Sequence, residues 1–197
     1  MKSGSIKLQR ALTAMLGSLL LLQGCGGYTS VDVGGSITNL SGSGLVLANG
    51  TSRVTPAPGA VSFVFPDQVA IRSPYAVTIL TQPSRQTCAV FNPNGTAGAT
   101  PVTIVSVLCD ANTYAVGGTV SGLTGAGLVL TNGSDQVPAL TGDASGNAVF
   151  TFPKPVADGV TYGVAVLTQP AGQTCTVANG TAVMGAAPVT NVAVSCR

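Results

Sequence analysis

Histidine, tryptophan and glutamate are absent from the 197 residues, and only 7% of the chain is charged. Without histidine and glutamate, the commonest proton shuttle and one of the two carboxylate side chains are missing. Eight basic residues, none clustered in the body of the chain, exclude a nucleic-acid surface, which needs grouped Lys and Arg to neutralise phosphates. Aromatic residues make up 5%, so the stacking platform of a typical glycan site is missing as well. Long charged tracts are absent too, and a hydrophobic content of 45% excludes an intrinsically disordered chain. Glycine is plentiful, at 26 residues, but lacks the every-third-residue period of collagen.

What is present begins with an address. Lys2, Lys7 and Arg10 precede a largely apolar run from Ala11 to Leu22, closed by Gln23-Gly24-Cys25. The run is shorter than the roughly 20 residues a membrane-spanning helix needs. A basic start, a short apolar run and small residues at its end form an export signal. Leu22-Gln23-Gly24-Cys25 resembles the lipobox of bacterial lipoproteins. The resemblance implies a signal peptide over 1–24, cleavage before Cys25 and a lipid on that cysteine, with residues 25–32 as the tether. Gly26 after the cysteine resembles the class sorted to the outer membrane of Gram-negative bacteria. Cleavage would remove three basic residues and leave five against six acidic ones.

The remainder is one unit written twice. Val33–Gly50 (VGGSITNLSGSGLVLANG) returns as Val116–Gly133 (VGGTVSGLTGAGLVLTNG), and Phe63–Cys109 returns as Phe150–Cys196. The second copy has four extra residues between Gly133 and Phe150, and 35 of the 65 aligned positions are identical. The expected domains are 33–110 and 116–197, joined by a linker over 111–115.

Each copy alternates with a period of two: Leu45/Leu47, Phe63/Phe65, Tyr75/Val77/Ile79, Val105/Val107/Cys109. Asn49-Gly50, Asn132-Gly133, Asp158-Gly159 and Asn179-Gly180 mark turns between the runs. Six or seven short strands per copy predict an all-β chain of two tandem small antiparallel β-sandwiches. The strand order resembles prealbumin-like or Ig-like sandwiches such as collagen-adhesin B-type repeats. The motifs GGTVSGLTGAGLVLTNG, LTQPAGQTCTVANG and VTNVAVSC resemble a tandem repeat of bacterial surface lipoproteins. B-type repeats often carry a Lys–Asn crosslink assisted by Glu. Lys154 is the only lysine after the signal and glutamate is absent, which excludes that crosslink from the first copy and disfavours it in the second.

Cys88 and Cys109 are separated by the same 21 positions as Cys175 and Cys196. In an exported chain this predicts one disulfide per repeat, leaving Cys25 for the lipid. A metal site would need histidine or a CxxC pair, so none is expected, and no cofactor is expected either.

Ser and Thr abound, but no base is positioned to activate one. The copies share no charged residue, so the duplication retained a framework rather than a catalytic set. The expected function is that of a non-catalytic, lipid-anchored spacer of the cell envelope, touching the membrane through its lipid. The alternative is an adhesin-like binding module with an envelope or extracellular protein as partner. Its predicted contact is the divergent segment Ser134–Ala148, with Ser134, Asp135, Gln136, Asp143 and Asn147 as candidate residues. A calcium site at Asp143–Asn147 competes there with a simple turn. Read as a loop, the segment should be exchangeable for its shorter counterpart with little loss of stability. The tether spans at most about 28 Å, which keeps the first copy near the membrane.

Overall fold

A computed structural model describes residues 29–197; the signal segment and Cys25 lie outside them. Each repeat contributes ten strands. In the first these are β1 Ser30–Val31, β2 Val33–Thr38, β3 Val46–Asn49, β4 Ser52–Val54, β5 Ser62–Val64, β6 Val69–Ala70, β7 Pro74–Thr81, β8 Gln86–Phe91, β9 Asn94–Thr96 and β10 Val102–Ala111. In the second they are β11 Thr113–Tyr114, β12 Val116–Ser121, β13 Leu128–Asn132, β14 Asp135–Leu140, β15 Ala148–Thr151, β16 Val156–Ala157, β17 Thr161–Thr168, β18 Cys175–Ala178, β19 Thr181–Val183 and β20 Val189–Cys196. Several have only two or three residues, too short to show as alternation, which is why the sequence suggests fewer.

The chain is all-β and forms two sandwiches. Sheet β5-β2-β10-β8 faces sheet β4-β3-β7-β9, and sheet β15-β12-β20-β18 faces β14-β13-β17-β19. The alternating residues meet between the sheets. Leu45, Leu47, Phe63, Phe65, Tyr75, Val77, Val105 and Val107 fill the first core, and Leu128, Leu130, Phe150, Phe152, Tyr162, Val192 and Val194 occupy the corresponding places in the second. The Phe-x-Phe pairs pack edge to face with ring centroids 5.6 and 5.8 Å apart. The two cores are separate clusters, one per repeat.

One pairing in each repeat departs from the antiparallel plan. β2 runs parallel to β10, and β12 parallel to β20, so the first long strand of each unit lies beside the last. A register shift marks both ladders. The repeated Val-Gly-Gly exists for this crossing. A Cβ on Gly35 would overlap the carbonyl oxygen of Val105, and one on Gly118 that of Val192. Parallel first and last strands also bring the chain in at one pole of the sandwich and send it out at the other, so the repeats continue end to end.

The structure enrols parts of both connectors in the sheets. Ser30–Val31 of the expected tether pairs with β6, and Thr113–Tyr114 of the expected linker pairs with β16. β10 runs on to Ala111, leaving Asn112 alone between the last strand of one unit and the first of the next. Unpaired backbone groups at each pole make such short pairings favourable, a demand that side-chain patterning does not display.

Candidate functional site

The most specific repeated motif, Gln-Pro-x-x-Gln-Thr-Cys, is structural. The Gln82 amide brackets Cys88, accepting its N–H at 2.7 Å and donating to its carbonyl at 3.0 Å, and Gln169 does the same for Cys175 at 2.7 and 3.1 Å. Gln86 accepts N–H bonds from Ser41 and Gly42 and donates to the Asn39 carbonyl; Gln173 repeats this with Thr124, Gly125 and Gly122. Both cystines, Cys88–Cys109 and Cys175–Cys196, link residues directly opposite one another on neighbouring strands. Each joins its last strand to one two places earlier in the sequence, because a three-residue strand, β9 or β19, intervenes.

Ser134–Ala148 is a loop only in part, which corrects the sequence reading. Its residues 135–140 form β14, an edge strand in hairpin register with β13, in which Asp135 faces Asn132 and Leu140 faces Leu128, and residues 141–147 turn back to β15. Pro138 fits because it lies on an edge strand beside a register shift, where no ladder donor is required. Val137 and Leu140 pack against the second core. The candidate residues are spread along the segment rather than gathered, with only Asp135 and Gln136 on the strand. At one end the Asp135 carboxylate accepts the backbone N–H groups of Gln136 and Lys154. At the other, Asp143 Oδ1 accepts those of Ser145 and Asn147, closing a turn whose Gly146 carbonyl receives the Leu123 N–H. These bonds, from Asn147 first and then Ser145, hold the Asp143 carboxyl below its ordinary range. Ser134 lies in the turn before β14. The geometry favours the turn over a calcium loop, and among the described residues no group of three acidic, Cys or His side chains is arranged around a cation.

The polar arrangement that converges is at the joint between the repeats. Asn112 donates its N–H to the Arg85 carbonyl at 3.0 Å and accepts the Asp158 N–H at 2.8 Å, while its side chain receives the Thr87 hydroxyl at 2.7 Å. Arg85 Nε donates to Asp158 Oδ1 at 2.8 Å, and its Nη2 engages the same oxygen. The Asp158 side chain is only 2% exposed, and its Oδ2 is buried without a partner. The Arg85 bond holds the Asp158 carboxyl below the ordinary carboxylate range, against the opposing effect of desolvation. Arg85 has a φ of 64°, the left-handed region, where its counterpart Gly172 has 70°. A side chain there costs roughly 1–2 kcal/mol relative to glycine. An open cleft of about 370 Å³ flanks the joint, walled by Ser41, Ser43, Ser84, Arg85, Gln86 and Asp158.

The sequence reading missed this site, treating Asp158 only as a turn former. The available signal was divergence: Arg85 stands where the second copy has Gly172, and Asp158 where the first has Ile71.

No protein family matches the chain, and no curated protein matches it. Among solved structures it is similar to the Bacillus anthracis TIE protein, with 14% identity, covering 85% of this chain and 34% of that one, at a TM-score of 0.48. It is also similar to a streptococcal ancillary pilin (16% identity, 86% and 63% covered, TM-score 0.29) and to the shaft pilin SpaA from Lactobacillus rhamnosus GG (14%, 86% and 98%, 0.26). The chain thus spans about a third of the first and under two thirds of the second. At these identities and scores the likeness carries no functional argument.

Proposed function

We propose that this is a non-catalytic, lipid-anchored protein of the bacterial cell envelope, held by Cys25 in the outer membrane of a Gram-negative host, whose two sandwiches act as a stiff spacer. The joint is the observation that carries this reading. A one-residue connector hydrogen-bonded to both units, with an ion pair across it, restrains their relative orientation far more than a flexible linker would. The anchor rests on the lipobox and on the even pairing of the other four cysteines.

Two measurements test the proposal. Labelled palmitate should enter the wild type and not Cys25→Ser; equal labelling would end the anchoring claim. Arg85→Gly removes the ion pair and relieves the left-handed φ, so the first repeat should keep its stability while the units reorient more freely. Residual dipolar couplings reporting one rigid body in both proteins, or two independent bodies in both, would refute the spacer mechanism.

The adhesin-like alternative draws on β14, whose outer edge is open to strand addition. It predicts a partner that protects the β14 amides from hydrogen exchange.

A further inference from the structure

Four strands end the two sheets of the first repeat, and β8, with six residues, is twice as long as β4, β5 or β9. A long edge strand offers a row of unpaired backbone groups to any other strand, whereas a very short one offers few. The cystine shows which groups of β8 point outward. Cys88 and Cys109 stand opposite one another with Cα atoms 3.9 Å apart, the narrow kind of antiparallel pair that exchanges no backbone bonds. Arg85, three residues earlier, accepts the Asn112 N–H and so belongs to the alternate set facing the neighbouring chain. The N–H and C=O groups of Gln86, Cys88 and Val90 therefore point away from β10. In the second repeat Cys175 and Cys196 are 4.0 Å apart, and Thr174 and Arg197 exchange both of their backbone bonds beside them. Cys175 and Val177 thus face outward from β18.

The Gln82 amide occupies the middle of that edge. One side-chain amide accepts the Cys88 N–H and donates to the Cys88 carbonyl, which is the pair of bonds a peptide group of an added strand would make. Gln169 repeats both bonds on Cys175. The proline that follows each glutamine fixes the arrangement. Pro83 and Pro170 are buried, and a residue before proline is held in the extended region, which restricts where the glutamine side chain reaches.

We infer that Gln82 and Gln169 close the β8 and β18 edges against strand addition, so that neighbouring copies do not join their sheets there. Gln82 is itself exposed, so without it water would reach the two Cys88 groups and satisfy them nearly as well. Water does not exclude another strand; a bound amide does. The cap also suits a chain with little charge, because the charged side chains that usually guard an edge are absent from β8 and β18. A purely local role, in which the amide holds Cys88 in place for its cystine, is the competing explanation.

The test uses the chain from Gly26 onward, which contains every described strand and omits the lipid cysteine, so its outcome is independent of anchoring. Gln82→Asn keeps an exposed amide but draws it back by one carbon–carbon bond, about 1.5 Å, out of reach of Cys88. Sedimentation velocity at rising concentration should show the variant self-associating about tenfold more tightly than the wild type, the equivalent of one net backbone hydrogen bond. Hydrogen exchange locates the contact: the Cys88 and Val90 amides of the variant should exchange freely when dilute and become protected as it associates. Thiol titration and circular dichroism verify that the cystines and the fold are intact. A folded variant that stays as monomeric as the wild type, or that associates without protecting Val90, overturns the inference. So does loss of the Cys88–Cys109 cystine, which would give the amide its local role. If Gln82→Asn does not fold, Gln169→Asn decides by the same measurements at Cys175 and Val177, and failure of both to fold also overturns it.

Discussion

Single residues decide whether each unit closes. Gly35 and Gly118 lie where the parallel strands approach, and a methyl group would have to displace a backbone carbonyl of β10 or β20. Gly118→Ala should destabilise its unit by about 2–3 kcal/mol, in the range of overpacking a rigid site. Gly163, with open space around it, provides the control: Gly163→Ala should be neutral or slightly stabilising in the same denaturant titration. Asp158 behaves differently, because its contribution depends on pH. Its carboxyl is lowered in the folded protein by the bond from Arg85, with Tyr114 the other ionisable group near that guanidinium. The contribution is complete above the unfolded value near 3.9 and is lost as pH falls through the folded one. Acidification from pH 7 to 2.5 should therefore loosen the joint before the cores open, seen as divergence of the two units' residual dipolar couplings. Asp158→Asn should be loose already at pH 7. Asp143 is lowered too, by backbone N–H bonds, and its turn should open in the same direction of pH.

At the level of elements, β14 shows how insertion has become structure. Its counterpart β4 has three residues and then runs into Thr55-Pro56-Ala57-Pro58, where proline withholds ladder donors. β14 has six; Val137 repeats the core contact that Val54 makes in the first unit, and Leu140 adds a further one. Exchanging Ser134–Ala148 for the shorter segment of the first repeat should therefore cost the second unit about 1–3 kcal/mol, from the apolar surface returned to water. Thermal unfolding would check this; an unchanged midpoint would restore the loop reading. The hairpin turns Asn49-Gly50 and Asn132-Gly133, with glycine φ of 61° and 60°, were legible from the dipeptides alone. The parallel pairing was not, because alternation reports which face a residue occupies and is silent about its neighbour's direction.

For the molecule as a whole, separate cores and separate cystines make two units of folding, coupled through one residue and one ion pair. Removing a cystine frees a loop of 21 positions in the unfolded chain, worth about 3 kcal/mol. Replacing Cys175 and Cys196 by Ala should lower the second unit's calorimetric transition sharply while leaving the first within a few degrees. A matched drop in both would mean that the joint couples them more tightly than its contacts imply.

Sequence alone determined the duplication, the all-β class, the alternating residues of both cores and the cystine pairing. Each follows from periodicity or from equal spacing, which are one-dimensional properties. Tertiary structure decided the rest. It set the direction of β10 against β2, made Asp135–Leu140 an edge strand, and brought Arg85 to Asp158 across 73 positions of chain. It also placed Phe91, Ile104 and Val64 on one face. These arrangements depend on which strands become neighbours, and that choice is made by the packing of the whole sandwich.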